Sequence, residues 1–471
     1  MDYVGMKALV MGLGLHGGGL ESARFLLKRG ADVCVTDLRD EKTLSPSIEK
    51  LDSFVREIGA KPVRYILGKH EIEDFKNADM VIKNPGVRPD SPFLLASKRI
   101  ETDLSLFLSM SPACLFAVTG TKGKSGTTCA LHWILSKDRK SGKAYLGGNI
   151  TVSPLTFLDE LTNEDDVVLE LSSFQLGDIK GKPFKPKGAI LTSIMHDHLD
   201  RYATMDEYID DKRNIYRGQD ASCITVAGDD SWGKSFRAET KAKTLVWSQN
   251  KVLKEGISGG WIDEKSGCGF ARLYNFEGAS EEITELVPQK LLTPGVHQKI
   301  NMLMASLASY GTGVKPDTIR RALADFKGIE HRLELFHENG GVRFYNDSAA
   351  TIPEAAAACM EALTENASLV LVTGGTDKNL DFSPVAAIAK KAKAIILLAG
   401  TGSDKLKSIL DGAGISYSGP FDNLDEAVKC AIGKASRGDN VALSPGCASF
   451  GMFLNEFDRG RKWKETVMRL G

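Results

Sequence analysis

The stretch that decides the fold is Gly120-Thr121-Lys122-Gly123-Lys124-Ser125, which follows an apolar run at residues 114–118 and precedes a helical pattern at residues 127–135. A glycine-rich turn between a strand and a helix supplies converging backbone amides. Its lysine suits the β- and γ-phosphates, and its hydroxyl suits Mg²⁺. Valine occupies position 118, where a strict Walker A loop would have glycine. We therefore predict a shortened phosphate-binding loop for a nucleoside triphosphate; the alternative is a lysine-bearing turn without a ligand.

A second glycine-rich turn, Gly12-Leu13-Gly14-Leu15-His16-Gly17, lies between an apolar run at residues 7–11 and a helical pattern that begins at residue 20. Asp37 ends the next predicted strand. This spacing matches the dinucleotide fingerprint, in which helix amides face a phosphate and the acid accepts a bond from a ribose hydroxyl. Any nucleoside diphosphate would satisfy the pattern, and a tight turn without a ligand is the alternative.

Strand-like runs and helical patterns alternate along the chain, which is typical of βαβ units and parallel sheets. The 471 residues correspond to about three domains. We predict an α/β fold with a Rossmann-like domain at residues 1–103, a mononucleotide-binding domain at residues 104–328 and a second Rossmann-like domain at residues 329–471. Glycines between about residues 244 and 285 predict an antiparallel meander, a small insertion late in the central domain.

The composition favours small-molecule partners. With 60 basic and 61 acidic residues, the net charge of −1 gives no electrostatic argument for a nucleic acid or an anionic membrane. The sequence has no apolar run of 18 residues and does not begin like a secretory signal, so we expect a cytoplasmic protein without membrane insertion. The eight cysteines form no Cys-x-x-Cys pair, which predicts free thiols without a disulfide framework or zinc site.

Polar residues at two further strand ends suggest a metal site. Glu170 ends a predicted buried strand, and the carboxyl ends of parallel strands meet at one edge of a sheet, where a carboxylate can bind Mg²⁺. A purely structural acid is the alternative. His196-Asp197-His198 follows the next strand; one imidazole with water could serve Mg²⁺, and a helix cap at Asp197 is the alternative. For Lys212, on the following helix, the charge pattern alone predicts a solvated lysine.

Six segments, in order along nearly the whole chain, together resemble the Mur ligases. They are Gly120-Thr-Lys-Gly-Lys-Ser125, Leu169-Glu-Leu-Ser-Ser-Phe-Gln-Leu176, Asp197-His-Leu-Asp-Arg-Tyr202, Glu330-His-Arg-Leu333, Asn346-Asp-Ser348 with Ala350-Thr351, and Leu443-Ser-Pro-Gly-Cys-Ala-Ser449. The resemblance implies a three-domain ATP-dependent ligase of peptidoglycan precursor synthesis. It implies that D-glutamate is added to UDP-N-acetylmuramoyl-L-alanine through an acyl phosphate. We expect a monomer.

The resemblance also implies the residues that bind ATP and two Mg²⁺ ions. The implied catalytic residues are Lys124, Glu170, His198 and Lys212, and the implied metal ligands are Ser125, Glu170, His198 and Lys212. Lys212 would be carbamylated, which converts a cation into an anionic ligand. The implied ATP-binding residues are Gly120, Thr121, Lys122, Gly123, Lys124, Ser125, Gly126, Gln298, Asn301, Arg332 and Asp347.

For the other two substrates, the resemblance reassigns the first glycine-rich turn to the uridine diphosphate group. The implied UDP-substrate residues are Leu15, His16, Asp37, Arg39, Asn84, Gly86 and Asn149. The implied glutamate-binding residues are Thr351, Lys378, Ser449 and Phe457.

Three alternatives remain open at this point. One is a sister ligase that adds another amino acid, or a folylpolyglutamate synthase. Another is a nicotinamide-dependent dehydrogenase, which would explain the first turn but not the Gly-Lys-Ser loop. The last is a regulatory ATP-binding module without catalysis.

Overall fold

The structure is a computed structural model that describes residues 3–15, 17–138, 142–150, 152–197, 201–249, 252–276, 281–293, 295–365 and 367–471. The chain divides into two compact units, one of Met1–Gln289 with Ile300–Ala322 and the other of Lys290–Lys299 with Leu323–Gly471. Two predicted site residues, His16 and His198, lie outside the described residues.

The first unit begins with a five-stranded parallel sheet. Its strands are β1 (Lys7–Met11), β2 (Asp32–Asp37), β3 (Arg64–Leu67), β4 (Met80–Lys83) and β5 (Ile100–Glu101), and its helices are α1 (Gly18–Lys28), α2 (Glu41–Ile58), α3 (Ile72–Asn77), α4 (Pro92–Leu95) and α5 (Asp103–Leu108). The strand order is β3-β2-β1-β4-β5. The chain order therefore reverses between β1 and β4, and ligands bind at the carboxyl ends of strands at such a switch point.

Short apolar runs form these strands because helices cover both faces of the sheet. In β1, every residue after Lys7 is buried. Local signals set the helix ends: the Asp40 side chain caps α2 by accepting a bond from the Thr43 amide, and Gly59, with φ of 62°, ends it in the left-handed conformation.

The same unit contains a nine-stranded sheet. Its strands are β6 (Cys114–Thr119), β7 (Ala144–Gly148), β8 (Asp166–Glu170), β9 (Gly188–Leu191), β10 (Ile224–Gly228), β11 (Lys243–Ser248), β12 (Gly259–Ile262), β13 (Gly269–Arg272) and β14 (Thr284–Val287). The helices of this region are α6 (Lys124–Lys137), α7 (Ser173–Asp178), α8 (Met205–Arg213), α9 (Ser231–Glu239), α10 (Val296–Gly311) and α11 (Pro316–Ala324). The order is β14-β13-β12-β11-β10-β9-β6-β8-β7, so β6 pairs with β8 and β9 and both pairings are parallel.

The antiparallel part of this sheet is smaller than the sequence predicts. Pairing is antiparallel between β12 and β13 and between β13 and β14, which confirms an antiparallel insertion. The prediction is wrong for the first strand of the meander, because β11 runs parallel to both β10 and β12. The physical reason is that α9 forms a crossover between β10 and β11, and a crossover returns the chain in the same direction.

The second unit holds a six-stranded sheet. Its strands are β15 (Glu334–Asn339), β16 (Val342–Asn346), β17 (Leu369–Thr373), β18 (Ala394–Leu398), β19 (Ser418–Phe421) and β20 (Asn440–Leu443), and its helices are α12 (Pro353–Thr364), α13 (Ser383–Ile388), α14 (Thr401–Gly412), α15 (Leu424–Lys434) and α16 (Glu456–Leu470). The order is β15-β16-β20-β17-β18-β19. Only β15 and β16 pair antiparallel among these strands. The carboxyl ends of β16, β20 and β17 are therefore neighbours.

The α/β fold with three sheets confirms the predicted fold class. The first two sheets lie in one compact unit and the third in the other. The domain boundaries near residues 103 and 328 stay predictions. All eight cysteines are free thiols. In the part of the chain that the structure describes, no helix is long and apolar enough to cross a membrane.

Candidate active site

The loop between β6 and α6 has a conformation that requires glycine. Gly120 has φ of 144° and Gly123 has φ of 89°, both in the region that side chains disfavour. A Cβ added to Gly120 would lie 1.9 Å from Thr192 Oγ1. No side chain of the described residues caps the N terminus of α6, so the backbone amides of its first turn suit an anion.

Lys124, the first residue of α6, folds back over this loop. Its Nζ donates to the carbonyl oxygens of Gly120 at 3.1 Å and Thr121 at 3.0 Å. The neighbouring Lys122 is exposed and Ser125 is half-buried. The Thr121 hydroxyl is part of the protein interior, because it bonds with the Tyr208 hydroxyl at 2.9 Å. The loop therefore offers backbone amides and one ammonium group to a phosphate.

Asn301, a buried residue of α10, packs against the same loop. A Cβ added to Gly123 would lie 2.6 Å from Asn301 Oδ1, and one added to Gly126 would lie 2.4 Å from Asn301 Nδ2. The structure thus brings Asn301 to the phosphate-binding loop. Gln298, one turn earlier on α10, is half-buried.

Glu170 lies beside the loop because β8 pairs with β6, with Glu170 opposite Val118. Its carboxylate is buried: Oε1 accepts a bond from Asn149 Nδ2 at 2.9 Å, whereas Oε2 has no hydrogen-bond partner among the described residues. An unpaired buried carboxylate oxygen is costly. A divalent cation would satisfy it, so this residue fits a Mg²⁺ site.

The described residues alone do not complete such a site. Among them, no group of three or more histidine, cysteine, aspartate or glutamate side chains is clustered for a metal ion. His198 lies outside the described residues, so its predicted role as a ligand stays a prediction. Ser125 carries a hydroxyl oxygen and water is common around Mg²⁺, so these donors are compatible with this ion, and the predicted role of Ser125 as a ligand stays a prediction.

The environment of Lys212 contradicts the charge-pattern prediction that this lysine is solvated. Its side chain is 1% exposed, its Nζ donates to the Gly120 carbonyl at 2.9 Å, and it lies 4.4 Å from the centroid of the Tyr208 ring. Burial, and then the positive charge of Lys124, lower the pKa of Lys212 well below its usual value. The physical reason for the error is that α8 turns this side chain toward the loop, which a local charge pattern cannot reveal. A buried lysine of this kind is a nucleophilic amine.

The first glycine-rich turn has a different set of contacts. The Asp37 carboxylate accepts bonds from the Gly14 amide at 3.2 Å and the Arg39 amide at 2.9 Å. A Cβ added to Gly12 would lie 3.3 Å from Asn84 Cβ, and Asn84 Oδ1 accepts a bond from the Gly86 amide at 2.9 Å. The structure thus brings the turn, Asp37 and Asn84 together at the switch point between β1 and β4.

Two predicted ligands at this turn are available to a bound molecule. Leu15 is 46% exposed and the Arg39 side chain is exposed. No side chain of the described residues caps α1, whose N-cap residue is Gly17. The amides at the start of α1 therefore suit a diphosphate.

Sequence reasoning missed Gly19. A Cβ there would lie 2.0 Å from the Gly12 carbonyl oxygen, whereas a Cβ on Gly17 would meet nothing within 4 Å. Close packing of α1 on the turn therefore depends on a glycine outside the fingerprint. The run of three glycines at residues 17–19 was the available signal.

It also missed the residues that hold the segment at residues 84–87. Lys83 forms a buried ion pair with Asp178 at 2.6 Å. Arg201 donates to the carbonyl oxygens of Gly86 at 2.9 Å and Val87 at 3.2 Å. Arg201 lies in one of the six quoted segments, but no local pattern predicts these contacts of Lys83 and Arg201, because their partners lie far away in the sequence.

In the second unit, the predicted glutamate-binding residues follow adjacent strands. Thr351 follows β16, Lys378 follows β17 and Ser449 follows β20. Their loops are joined by backbone bonds: the Gly446 amide donates to the Ala350 carbonyl at 2.9 Å, and residues 376 and 448 exchange bonds of 3.1 and 3.0 Å. The structure therefore brings these three loops together.

The side chains on these loops differ in exposure. Lys378 is exposed and its Nζ lies 5.6 Å from the centroid of the Phe450 ring, whereas Ser449 is buried and Thr351 half-buried. Phe457 is half-buried, with its ring centroid 5.4 Å from that of His331. Contacts of these residues with glutamate stay predictions.

The two predicted ATP contacts of this unit also differ. Arg332 is exposed, between two residues with positive φ, His331 at 65° and Leu333 at 46°. Asp347 is buried: Oδ2 accepts a bond from Ser444 Oγ at 2.6 Å and Oδ1 from the Leu333 amide at 3.1 Å. Burial raises the pKa of Asp347 to about 6. Both carboxylate oxygens therefore have partners within the protein.

Comparison with known proteins gives the family. Three family models match successive parts of the chain: a Mur ligase MurD-like N-terminal domain at residues 6–104, a Mur ligase middle domain at residues 118–309 and a Mur ligase glutamate ligase domain at residues 331–447. Together they follow the order of the three sheets.

Individual relatives agree with these models. The UDP-N-acetylmuramoylalanine--D-glutamate ligase of Borreliella afzelii (strain PKo) is 40% identical over 99% of this chain and 98% of its own length. The ligase of the same name from Treponema pallidum (strain Nichols) is 36% identical over 98% of this chain and 97% of its own length. A crystal structure of UDP-N-acetylmuramate-alanine ligase from Thermotoga maritima shares the fold, with a TM-score of 0.59, 21% identity and coverage of 99% of this chain and 100% of that chain. The chain belongs to the Mur ligase family, as its motifs predict.

Proposed function

We propose that the protein is an ATP-dependent ligase that adds D-glutamate to UDP-N-acetylmuramoyl-L-alanine in peptidoglycan precursor synthesis. The observation that carries this proposal is the 40% identity, over 99% of the chain, to a ligase named for that reaction. The phosphate-binding loop, with Lys124, Glu170 and Lys212 around it, supports the use of ATP.

ATP binds with its phosphates at the loop of residues 120–126. The amides at the start of α6 and the Lys124 ammonium contact the phosphates and hold the γ-phosphoryl group for transfer. Two Mg²⁺ ions would be held by Ser125, Glu170, His198 and Lys212, and when bound they would neutralise charge on the phosphate oxygens. Asn301, against Gly123 and Gly126, supports the loop. The remaining proposed ATP ligands are Gln298, Arg332 and Asp347.

Lys212 is proposed to be carbamylated. Burial and Lys124 lower its pKa, which favours the neutral amine that can attack carbon dioxide. A bond forms between Nζ and the carbon, and a proton leaves the nitrogen. The product is a carbamate, which places a negative charge beneath the loop. The unmodified amine carries no negative charge.

The uridine diphosphate group of the substrate binds at the first glycine-rich turn. The free amides at the start of α1 contact the pyrophosphate. The exposed Leu15 and Arg39 provide apolar and cationic contacts, and the remaining proposed ligands are His16, Asp37, Asn84 and Gly86. Asn149, which donates to Glu170, contacts the sugar-nucleotide substrate near the phosphate-binding loop.

The chemistry requires activation, because a carboxylate is a poor electrophile. The alanyl carboxylate attacks the γ-phosphorus of ATP, a P–O bond to ADP breaks and an acyl phosphate forms. The amine of D-glutamate then attacks the acyl carbon, and phosphate leaves as the amide bond forms. Lys378, Thr351 and Ser449 bind the carboxylates of glutamate, with Lys378 as a point charge, and Phe457 lies close to this site.

In this proposal, residues 1–103 bind the UDP substrate, residues 104–328 bind ATP and residues 329–471 bind D-glutamate. The protein acts in the cytoplasm as a monomer. ATP and a nucleotide-linked substrate support this location.

The deciding experiment follows phosphate release by purified protein with ATP, Mg²⁺ and UDP-N-acetylmuramoyl-L-alanine, with D-glutamate, L-alanine or a dibasic amino acid in turn. We expect release only with D-glutamate, and transfer of ¹⁸O from the acceptor carboxylate to phosphate. Release with another amino acid would instead indicate a sister ligase. The absence of ADP with every substrate would indicate a regulatory module, and tight NAD binding without UDP-sugar binding a dehydrogenase.

A further inference from the structure

Arg459 lies beneath the three loops that carry the proposed glutamate ligands. We call these the amino-acid loops; they are residues 347–351, 374–378 and 444–449, after β16, β17 and β20. Arg459 belongs to the first turns of α16 and is 1% exposed. No sequence motif considered above assigns it a function.

The Arg459 guanidinium connects two of the amino-acid loops directly. Nη1 donates to the Cys447 carbonyl oxygen at 3.1 Å, and Nη2 donates to the Ser348 carbonyl oxygen at 2.8 Å. A Cβ added to Gly375, in the remaining loop, would lie 3.7 Å from Nη1. One planar group therefore links the loops of Thr351 and Ser449, in addition to the backbone bond from Gly446 to Ala350.

The Arg459 guanidinium is a buried positive charge. No carboxylate among the described residues forms an ion pair with Arg459, and its Nε is buried without a hydrogen-bond partner there. Burial lowers its pKa to about 10, so it remains protonated at neutral pH. A buried cation without an ion-pair partner is costly, and the Coulombic attraction of Glu456 offsets only part of that cost. Its partners are two carbonyl oxygens, so a net positive charge persists under the loops.

We propose that Arg459 is a positioning residue for the dicarboxylate amino acid: it fixes the distance between the loops at residues 347–351 and 444–449 and supplies a buried positive charge beneath them. It does not contact the amino acid, because Nη1 and Nη2 both donate to carbonyl oxygens of the loops. The inference rests on the proposed function, in which D-glutamate brings two carboxylates to these loops. A planar fork with two donors suits this role better than a lysine does.

The test compares Arg459→Met and Arg459→Lys with Trp463→Phe. Trp463 lies one turn later on α16, is fully buried and donates from Nε1 to the Tyr345 carbonyl oxygen at 3.1 Å. The control therefore removes a buried bond to a backbone carbonyl from the same helix without touching the amino-acid loops. Steady-state phosphate release gives kcat and the KM values for D-glutamate, ATP and the UDP substrate, and thermal unfolding gives Tm.

We expect Arg459→Met to raise the KM for D-glutamate about tenfold or more and to leave the KM for the UDP substrate within about twofold, since a charged donor to the loops is lost. The KM for ATP should change less than that for D-glutamate, because Asp347 is the one proposed ATP ligand in these loops. Arg459→Lys keeps the charge and should recover part of this loss. Trp463→Phe should lower Tm without changing the KM for D-glutamate. The preference for D-glutamate over D-glutamine should fall in Arg459→Met. Glutamine has one carboxylate fewer than glutamate, so it should lose less binding when the positive charge is removed.

An unchanged KM for D-glutamate in Arg459→Met would overturn the inference, as would equal effects of Arg459→Met and Trp463→Phe on all KM values. If Arg459→Met does not fold, Arg459→Lys decides: an unaltered KM and unaltered preference for D-glutamate would overturn the positioning role of the fork. Failure of the proposed function would look different. In that case the unsubstituted protein would release no phosphate with D-glutamate.

Discussion

The two glycine-rich turns share a backbone plan and differ in their side chains. Each joins a parallel strand to a helix, and no described side chain caps either helix. At the first turn, both oxygens of the Asp37 carboxylate accept bonds from backbone amides. At the second, Lys124 and Lys212 both donate to the Gly120 carbonyl, and Glu170 keeps one buried oxygen without a partner among the described residues.

In the proposed function, this difference would let one motif serve two kinds of phosphate ligand. At the first turn, backbone amides already satisfy the Asp37 carboxylate, so the amides at the start of α1 are enough to hold a diphosphate. The second gathers cations and an unpaired carboxylate oxygen, which a triphosphate and Mg²⁺ would balance. The glycines therefore predict a phosphate, and the surrounding charges decide which phosphate and whether it reacts.

The largest expected effect separates the two turns by function. Lys124→Met should lower kcat by about 10³-fold, because it removes a charge from the transferred phosphoryl group. The affinity for the UDP substrate should not change. Steady-state phosphate release and calorimetric titration measure the two quantities, with Lys137→Ala, exposed at the other end of α6, as the control. A comparable loss of UDP-substrate affinity would contradict the separation.

A second prediction concerns packing at the first turn. Gly19→Ala should lower the free energy of unfolding by about 3 kcal/mol, because its Cβ would lie 2.0 Å from the Gly12 carbonyl oxygen, which is backbone. Gly18→Ala is the matched control, since nothing lies within 4 Å of that Cβ. Gly126→Ala, at the second turn, should cost less, because Asn301 Nδ2 belongs to a side chain that can shift. Denaturant unfolding ranks the three, and equal losses for Gly18→Ala and Gly19→Ala would refute the packing argument.

Asp347, which follows β16, is a third acid at a strand end and can be compared with Asp37 and Glu170. Its pKa of about 6 exceeds the usual 3.8, so the folded state binds the proton more tightly than the unfolded state. Folding stability due to this group is therefore present below pH about 4 and lost as pH rises to about 6. The loss amounts to about 3 kcal/mol.

Asp347→Asn keeps the shape of the side chain and removes this titration. The Tm of the variant minus that of the unsubstituted protein should increase between pH 4 and 6 and then level off. Thermal unfolding across this range measures the difference. A difference that is independent of pH would mean that Asp347 is not protonated more readily in the folded state.

The smallest effect is expected at Asp37. Asp37→Asn should lower the affinity for the UDP substrate about fivefold, because the amide can accept only one of the two backbone hydrogen bonds that the carboxylate accepts. The KM for ATP should stay constant. Asp32→Asn, at the opposite end of β2, is the control, since Asp32 makes an exposed ion pair with Lys61. Equal effects of the two variants would remove Asp37 from the proposed site.

Local patterns predicted most of the secondary structure. The apolar run at residues 7–11 forms β1 (Lys7–Met11) with the same bounds, because short apolar runs between turn residues form buried parallel strands. Helix α6 begins at Lys124 and not at the predicted residue 127, since Gly123 in the left-handed conformation already ends the loop. The predicted antiparallel direction of β11 was wrong, because the direction of a strand depends on the crossover that precedes it.

The candidate site was predictable in part. Strand ends gave Glu170 and Asp37, because parallel strands gather their carboxyl ends at one edge of a sheet. The charge pattern failed at Lys212, and Gly19, Lys83, Arg201 and Arg459 were missed. Each of these depends on a contact with another segment of the chain.

The sequence by itself determined the α/β class, the two phosphate-binding turns and the resemblance to the Mur ligases, because periodicity, turn residues and motifs are properties of short segments. Only the tertiary structure decided which charges are buried. Lys212 meets the Gly120 carbonyl across 92 residues of sequence and Arg459 meets Ser348 across 111. Burial and hydrogen bonding between such distant residues depend on how the chain packs, and they determine whether a charged side chain is solvated, neutral or held beneath a binding loop.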